Sequence, residues 1–596
     1  MSNLNVPYSH LSHSSSRSLA SSILYDIVNV SPTALHIADR RELIQALLDD
    51  LSLLTKGSKD AASSRLTRDD AALALLALKS LGKIPVGSEV IASPNNLSTL
   101  VTLANTLKDN TAASNEALRC LANCLLLIDN ARMTFVQKQV GGGEAAVEWL
   151  VKASAPERVF LVSRILFLCT VSLAASSYIR SLVETKPHGH SEPIVDVVAA
   201  KLDMLLYNIQ SGDAFAKEAM IDLLKMVFNL LAHYPKICDD AIPTSQHTSD
   251  DQNKVLGDYW SERLDGLLPP LLKLFNTLPP SAPAPLLPPI THVIHSLITI
   301  PVTPSLRPIW FSGQSKTEPP SRSSKSSSPT GTPGPSTSSS PKDSKPGAFD
   351  RALSRLSAGR RSLSRSSSPQ PPPVYDNLQH GYDLLDAVLS HYLPGDIDPD
   401  EASVRERCRK EADSSLDDIV SPLVLLVTKL CSSDETSKKR LRRWILPDDL
   451  DRTSPLEGRA DLLGRCLRLL GCVHHPRLKD AAGEMLYAVC DSDASTLASY
   501  VGYGNVAGFL FNKGIMSAPP RTATSAAAPA TTTSGVPIDP ITGTAQKEHE
   551  PLDMTDEEKE REAEKLFVLF DRLERNGALP PNQNPIRKAI QEGKLG

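Results

Sequence analysis

The sequence lacks long apolar runs, a basic excess and a large aromatic content. Of its 596 residues, 41% are hydrophobic and only 5% are aromatic. The longest apolar stretches, such as Ala71–Leu78 and Ile165–Ala175, fall short of the ~20 residues that a membrane helix needs. A net charge of −5 argues against nucleic-acid binding, which usually needs a basic domain. The Ser-rich N-terminus has no apolar core and predicts no signal peptide. We expect a cytosolic, monomeric protein that does not insert into membranes and that can be recruited to the cell cortex.

Motifs for covalent or metal chemistry are also missing. The nine cysteines include no C-x-x-C pair, so we expect reduced, buried thiols rather than a disulfide framework. No stretch matches a phosphate-binding loop or a nucleophile elbow, and Gly141–Gly143 is interpreted as a helix–helix turn. His292 and His295 share a predicted helix face but lack the acidic partners of a zinc site. We therefore predict no catalytic residue, no metal site and no cofactor.

Apolar residues recur at three- and four-residue spacing, which predicts helices throughout. The pattern Leu-x-x-(Leu/Val)-(Ala/Phe)-Asn-x-Leu occurs at Leu118–Leu125, Leu224–Leu231 and Leu271–Leu278. Unit lengths in the forties are typical of armadillo and HEAT repeats, in which each helix pair buries a face against the next pair. The predicted fold is all-α, an armadillo/HEAT-like α-solenoid with a disordered Ser/Pro-rich insertion and a tethered C-terminal helix.

Composition shifts divide the chain into seven segments. The insertion is rich in Ser, Pro and Gly, and its basic residues outnumber its acidic ones by ten to three, so it cannot bury enough apolar surface to fold. The segments are a disordered N-terminus (1–22), repeats (23–312), the insertion (313–373), further helical repeats (374–516), a flexible linker (517–553), an amphipathic helix (554–576) and a tail (577–596).

Three features are candidates for partner binding, because solenoids usually recognise other proteins. The first is the mid-helix asparagines Asn123, Asn229 and Asn276, whose amides either satisfy neighbouring carbonyls or bind the main chain of a partner peptide. The second is basic residues, interpreted either as solvated helix faces or as sites for an acidic or carboxylate-terminated peptide. They are the pair Lys79 and Lys83, predicted to share one helix face, and the cluster Lys439, Arg440, Arg442 and Arg443 beside Trp444.

The third feature is the predicted C-terminal helix, which starts at a capping box over Thr555–Glu558. Its apolar stripe includes Phe567, Phe570 and Leu573. The stripe either folds back on the repeats as a cap or contacts a partner. Ser433 and Thr555 precede acidic residues and are candidate phosphorylation sites, where a phosphate would add up to two negative charges.

Four blocks resemble the synembryn family of exchange factors and chaperones for heterotrimeric G-protein α (Gα) subunits. Ser499–Leu510 resembles the family's Y-T-G-Y-G-N-A-A-G-L-L block, and Ile538–Gly543 is followed by the tail helix in family order. Asn115–Leu121 leads to Asn123, and Arg440–Pro447 matches a basic helix that runs into V-L-P. The insertion is unlike the compact animal sequences and suggests a fungal-type member.

The resemblance implies a solenoid groove that captures the C-terminal helix of a GDP-bound Gα subunit, releases GDP and holds the nucleotide-free form. It further implies that Asn123 and the basic helix contact Gα and that the tail helix braces its Ras-like domain. Lys79 and Lys83 match a pair that is Arg in animal members, and lysine lacks the bidentate geometry of arginine. The alternative function is an armadillo-type transport adaptor or scaffold that binds an extended peptide.

Overall fold

The computed structural model describes residues 4–31, 34–56, 64–186, 192–240, 259–313, 374–515, 531–532, 535–546 and 555–575. The predicted tail (577–596) and all of the predicted insertion except residue 313 lie outside these residues. The chain forms two compact units, Met1–Trp310 with Asn377–Gly596, and Phe311–Asp376. The helices of the described residues all lie in the first unit.

The regular secondary structure of the described residues is helical. In the first part of the chain the helices are α1 (Asn5–Ser9), α2 (Arg17–Asn29), α3 (Ile37–Leu53), α4 (Ala71–Leu81), α5 (Pro85–Ile91), α6 (Pro94–Thr106), α7 (Thr111–Leu127), α8 (Asp129–Val136), α9 (Gly142–Lys152), α10 (Pro156–Thr170), α11 (Ser176–Glu184), α12 (Ile194–Ser211), α13 (Ala216–Asp239), α14 (Leu268–Thr277), α15 (Ile290–Thr299) and α16 (Arg307–Trp310). The remaining helices are α17 (Asn377–Tyr392), α18 (Ala402–Ala412), α19 (Leu416–Ser433), α20 (Glu435–Ile445), α21 (Leu462–Gly471), α22 (Pro476–Val489), α23 (Ala494–Val501), α24 (Tyr503–Asn512) and α25 (Asp556–Arg575).

The helices are arranged in two rows. In the first row each helix packs against the next, in the order α2, α4, α7, α10, α13, α15, α19 and α22. The second row has the order α3, α6, α9, α12, α14, α17, α21 and α24, and its helices also pack on first-row helices. A short helix precedes the pair in several repeats, as in the triplet α5, α6 and α7. This arrangement confirms the predicted all-α, armadillo/HEAT-like solenoid.

Local sequence explains where these helices begin, end and bury their faces. In α7 the side chain of Asn110 accepts a hydrogen bond from the Ala113 amide at 3.1 Å, which caps the helix start. Leu118, Leu121 and Leu125 then fall on one face and are fully buried, each contributing ~1.5–3 kcal/mol. Helix α12 ends at Gly212, whose φ of 77° is the left-handed conformation that favours glycine.

The N-terminus differs from its prediction as a disordered segment over residues 1–22. From residue 4 onward it is described and largely helical, in α1 and the first part of α2. Tyr8 is buried, and its hydroxyl donates to the Asp50 carboxylate at 2.7 Å. The guanidinium of Arg17 pairs with Asp70 at 2.5 Å. These contacts with distant residues order a segment whose own composition carries little helical signal.

Part of the predicted linker (517–553) is also structured. Residues 535–546, here named the C-terminal turn, form an isolated bridge between Ile538 and Ala545 and pack against α24. The ordering contacts join backbone atoms from distant parts of the chain, which composition does not reveal.

No single helix among the described residues is both long and apolar enough to cross a membrane. The segments Pro156–Thr170 and Leu173–Glu184 meet the length and composition limits only when taken together, and they are bent by 96°.

Candidate partner-binding surface

Partly exposed charged side chains link successive helices of the first row. Lys79 on α4 pairs with Glu116 on α7 at 2.7 Å, and Arg119 on α7 also reaches Glu116 at 2.7 Å. Arg119 pairs in addition with Glu157 on α10. These four residues, together with the cluster around Asp222 described next, are named the first-row charged face. Its alternating charges offer hydrogen-bonding groups of both signs to a partner.

The first-row charged face continues onto α13 through Asp222. Arg164 on α10 pairs with the Asp222 carboxylate at 2.8 Å, and Lys225 reaches the same carboxylate at 3.3 Å. The Arg164 guanidinium also lies 4.5 Å from the centroid of the Phe160 ring. The Lys225 ammonium lies 5.4 Å from the Phe167 ring. Aromatic rings therefore hold the charged groups of these two side chains in place through cation–π contacts.

The three predicted asparagines occupy different environments. Asn229, on α13, is buried and its amide donates to the Phe167 carbonyl at 3.2 Å and to the Thr170 hydroxyl at 3.1 Å. Asn276 lies on second-row helix α14 and donates to the Leu272 carbonyl and to the Asn377 side chain, both at 2.7 Å. The Leu271–Leu278 match is therefore not equivalent to the two first-row matches, and both amides are occupied by contacts within the chain.

Asn123 differs from the other two asparagines. It is half-buried on first-row helix α7, and within the described part of the chain its amide has no hydrogen-bond partner. Three residues further along, Leu126 is 55% exposed. Asn123 is thus the one predicted asparagine whose amide is available to a partner among the residues that the structure covers.

The expectation that Lys79 and Lys83 share one helix face is wrong. Helix α4 ends at Leu81 and Gly82 follows as its C-cap, so Lys83 lies in the connecting turn and is exposed. Glycine after the last turn is a common helix terminator, and this signal was present in the sequence. Lys79 belongs to the first-row charged face, whereas Lys83 is outside helix α4.

The predicted basic cluster lies on α20, and one of its four members, Arg442, joins two helices. The Arg442 guanidinium donates to the Val489 carbonyl at 2.7 Å and to Asp491 at 2.5 Å. Lys438 also pairs with Asp491, at 3.4 Å. Burial would raise the pKa of the Asp491 carboxyl, but the hydrogen bond and charge of Arg442, with Lys438, lower it below its usual value. Arg442 therefore joins α20 to the end of α22.

Two members of the α20 cluster face solvent, whereas Arg440 is partly buried. Lys439 and Arg443 are exposed and lie one helical turn apart. The Arg440 guanidinium lies 4.9 Å from the centroid of the Trp444 ring, and Trp444 contacts the Tyr382 ring at 5.1 Å. Lys439 and Arg443 are named the α20 basic pair. The run of basic residues in the sequence does not by itself show that this pair faces solvent while Arg442 contacts α22.

The C-terminal helix α25 forms as predicted, from Asp556 to Arg575. Phe567 is 53% exposed and Phe570 is partly exposed, whereas the side chain of Leu573 lies outside the described residues. Apolar side chains on α25 are therefore accessible to a partner.

The two candidate phosphorylation sites are both accessible. Thr555 is exposed just before α25, and Ser433 is the partly exposed last residue of α19.

Within the described residues, the cysteines and histidines form no group that could hold a metal ion. Eight of the nine cysteines are buried, as predicted, and burial raises the pKa of the Cys169 thiol to about 12. Burial, together with the charges of Lys225 and His295, lowers the pKa of His292 to about 4. Cys169 belongs to the packed interior of the array, whereas His292 is partly buried.

The family model described as "Guanine nucleotide exchange factor synembryn" matches residues 74–594. The chain belongs to the synembryn family. The matched region includes the first-row charged face, the α20 basic pair and α25, so the three candidate places lie within the part that defines the family.

Individual relatives match shorter regions. "Chaperone Ric-8A" of Xenopus laevis is 30% identical over 195 residues, covering 32% of this chain and 35% of the relative. "Chaperone Ric-8A" of Mus musculus is 32% identical over 174 residues, covering 28% and 32%. "Chaperone Ric-8" of Drosophila pseudoobscura pseudoobscura is 29% identical over 183 residues, covering 29% and 32%. The chain therefore spans about a third of the length of these curated relatives.

Proposed function

We propose that this chain releases GDP from heterotrimeric Gα subunits and acts as their folding chaperone in the cytosol. The observation that carries the proposal is the synembryn match over residues 74–594, which includes nearly the whole helical array. The names of the relatives support the chaperone role. Family membership also favours this function over a transport adaptor.

In the proposed mechanism the first-row charged face receives the C-terminal helix of GDP-bound Gα. Glu116 and Glu157 would pair with cations of that helix, Lys79 and Arg164 would pair with its anions, and Asn123 would bond to its main chain. The chain's own ion pairs hold these side chains at 2.7–2.8 Å between Lys79 and Glu116 and between Arg164 and Asp222. A partner therefore meets groups that are already oriented, which lowers the entropic cost of binding.

The remaining two places would hold the body of the Gα subunit. The α20 basic pair would contact an acidic surface, and α25 would lay its apolar residues against the Ras-like domain. Binding the nucleotide-free form more tightly than the GDP-bound form must weaken GDP affinity by the same factor. Exchange then needs no covalent chemistry, and a monomer of the chain suffices. Covering apolar surface of a nascent Gα subunit would also prevent its aggregation.

The test is binding of nucleotide-free Gα by a charge-reversal variant. Replacing the α20 basic pair (Lys439→Glu with Arg443→Glu) is expected to weaken the complex by about ten-fold at low salt. Reversing two exposed cations outside the three candidate places, Lys138→Glu with Arg263→Glu, is the matched control and should leave affinity unchanged. Full affinity of the first variant would contradict the role of the pair. No complex between Gα and the parent chain would contradict the proposed function.

A further inference from the structure

The C-terminal turn (535–546) is attached to the array through direct backbone contact. The amides of Tyr503 and Gly504 donate to the carbonyls of Pro540 and Ile541, both at 2.8 Å. These two amides belong to the first turn of α24, where helix N–H groups have no partner within the helix. The carbonyls of the turn therefore complete the hydrogen bonding at the start of α24.

Two glycines make this backbone contact possible. Gly502 has φ 84° and Gly543 has φ 73°. A Cβ on Gly502 would lie 2.4 Å from the Gly543 nitrogen, and a Cβ on Gly543 would lie 2.6 Å from the Val501 carbonyl carbon. Any side chain at either position would separate the two backbones. Two of the four blocks that carried the family resemblance, Ser499–Leu510 and Ile538–Gly543, are thus the two halves of one contact.

Contacts that involve side chains also hold the C-terminal turn against the array. Arg452 is buried, its guanidinium donates to the Gly543 carbonyl at 2.6 Å, and its own carbonyl accepts from the Ala545 amide at 2.9 Å. Ile538 is buried, and Asn505 donates to the Thr542 carbonyl at 3.3 Å. The C-terminal turn is therefore fixed to the array by side-chain contacts as well as by backbone hydrogen bonds.

The position of the turn limits where α25 can lie. Nine residues separate Gln546 from Asp556, so the start of α25 can be at most ~35 Å from the end of the turn. Without the docked turn, forty residues would separate α25 from Ile515, the last described residue after α24. The maximum reach would then be ~145 Å. Docking shortens the tether about four-fold.

We infer that the C-terminal turn is an anchor that makes α25 and the helical array bind one partner together. The inference rests on the proposed function, because the partner is the Gα subunit that the array holds. Leu566, Phe567 and Leu569 of α25 are about half exposed and offer the apolar surface that the anchor positions. The local concentration of a tethered helix falls roughly as the −3/2 power of tether length, so a four-fold shorter tether raises it ~8-fold. Gly502 and Gly543 are the positioning residues.

The test compares two glycine substitutions in the full chain and in a chain that ends at Gln546. Gly543→Ala forces the turn from the array, whereas Gly535→Ala has the same left-handed backbone, φ 81°, and no atom within 4 Å of the new Cβ. In the full chain, Gly543→Ala is expected to weaken the affinity for nucleotide-free Gα by up to ~8-fold. Gly535→Ala should stay within two-fold of the parent. In the chain that lacks α25, neither substitution should change the affinity.

Two results would overturn the anchor. One is an equal loss for Gly543→Ala with and without α25, which indicates that the turn only stabilises the array. The other is unchanged affinity of the full-length variant while hydrogen exchange at the Tyr503 and Gly504 amides shows that the turn is released. If the parent chain binds no Gα, the proposed function fails, and the anchor is tested by spin labels at Asn512→Cys and Glu564→Cys. The distance distribution must broaden in Gly543→Ala, and an unchanged width would refute the anchor.

Discussion

The asparagines of the first row allow stability and partner binding to be separated by two single substitutions. In Asn229→Ala the Phe167 carbonyl and the Thr170 hydroxyl lose their shared donor inside the array. Leaving a buried acceptor unsatisfied costs ~1–3 kcal/mol, and alanine returns ~0.5 kcal/mol of helix propensity. The expected net loss is therefore ~0.5–2.5 kcal/mol. Asn123→Ala loses no hydrogen bond among the described residues, so it should be neutral or stabilising by ~0.5 kcal/mol.

Urea unfolding followed by far-UV circular dichroism measures the first half of this prediction, and affinity for nucleotide-free Gα measures the second. Asn229→Ala should unfold at lower urea than the parent chain, with the affinity of the molecules that remain folded unchanged. Asn123→Ala should unfold at the parent midpoint but bind Gα several-fold more weakly. Equal destabilisation by the two substitutions would refute the different environments assigned to these amides. Parent affinity for Asn123→Ala would remove it from the binding surface.

Three further predictions follow from individual contacts. Folding holds the pKa of His292 below its unfolded value, so stability should be lost as the pH falls from 6.5 toward 4. The parent chain should lose ~1–3 kcal/mol more than His292→Gln over that range in urea titrations. Arg442→Gln should lower the free energy of unfolding by ~1.5–3 kcal/mol because it breaks the contacts with Val489 and Asp491. The control Arg443→Gln, at the next position, should change it by no more than ~0.5 kcal/mol. Equal effects in urea unfolding would contradict the structural role given to Arg442 alone. Asp50→Asn should cost ~1.5–3 kcal/mol by weakening the charge-assisted contacts that hold the N-terminal helices, and calorimetry that shows no change would refute their role.

The fold could be predicted from the sequence because its dominant signal is local. Apolar residues such as Leu118, Leu121 and Leu125 repeat at helical spacing, and their burial against neighbouring helices is what stabilises the array. The repeat pattern did not identify equivalent helices, because Leu271–Leu278 lies in the second row whereas Leu224–Leu231 lies in the first. A short apolar pattern with one asparagine fits helices of either row, because both rows bury the same kind of face.

The candidate site could be predicted only in part because its side chains are sorted by contacts over long sequence distances. Arg442 and Arg443 are adjacent and chemically identical, yet only Arg442 reaches Asp491. The pairing of Arg164 with Asp222, 58 residues apart, left no local signal. For the C-terminal turn a signal did exist: glycine at positions 502 and 543 is required by the backbone contact. One sequence does not show, however, that these two glycines contact each other's segments.

GDP release from a purified Gα subunit of the same organism, in excess GTP analogue, tests the central claim most directly. The account predicts that the chain accelerates release and that the acceleration disappears when about a dozen C-terminal residues of Gα are removed, since the first-row charged face then has nothing to hold. Intrinsic release by the truncated Gα, measured without the chain, is the control. Release at the intrinsic rate in the presence of the chain and intact Gα would contradict the exchange activity, and equal acceleration of truncated Gα would contradict capture of its C-terminal helix.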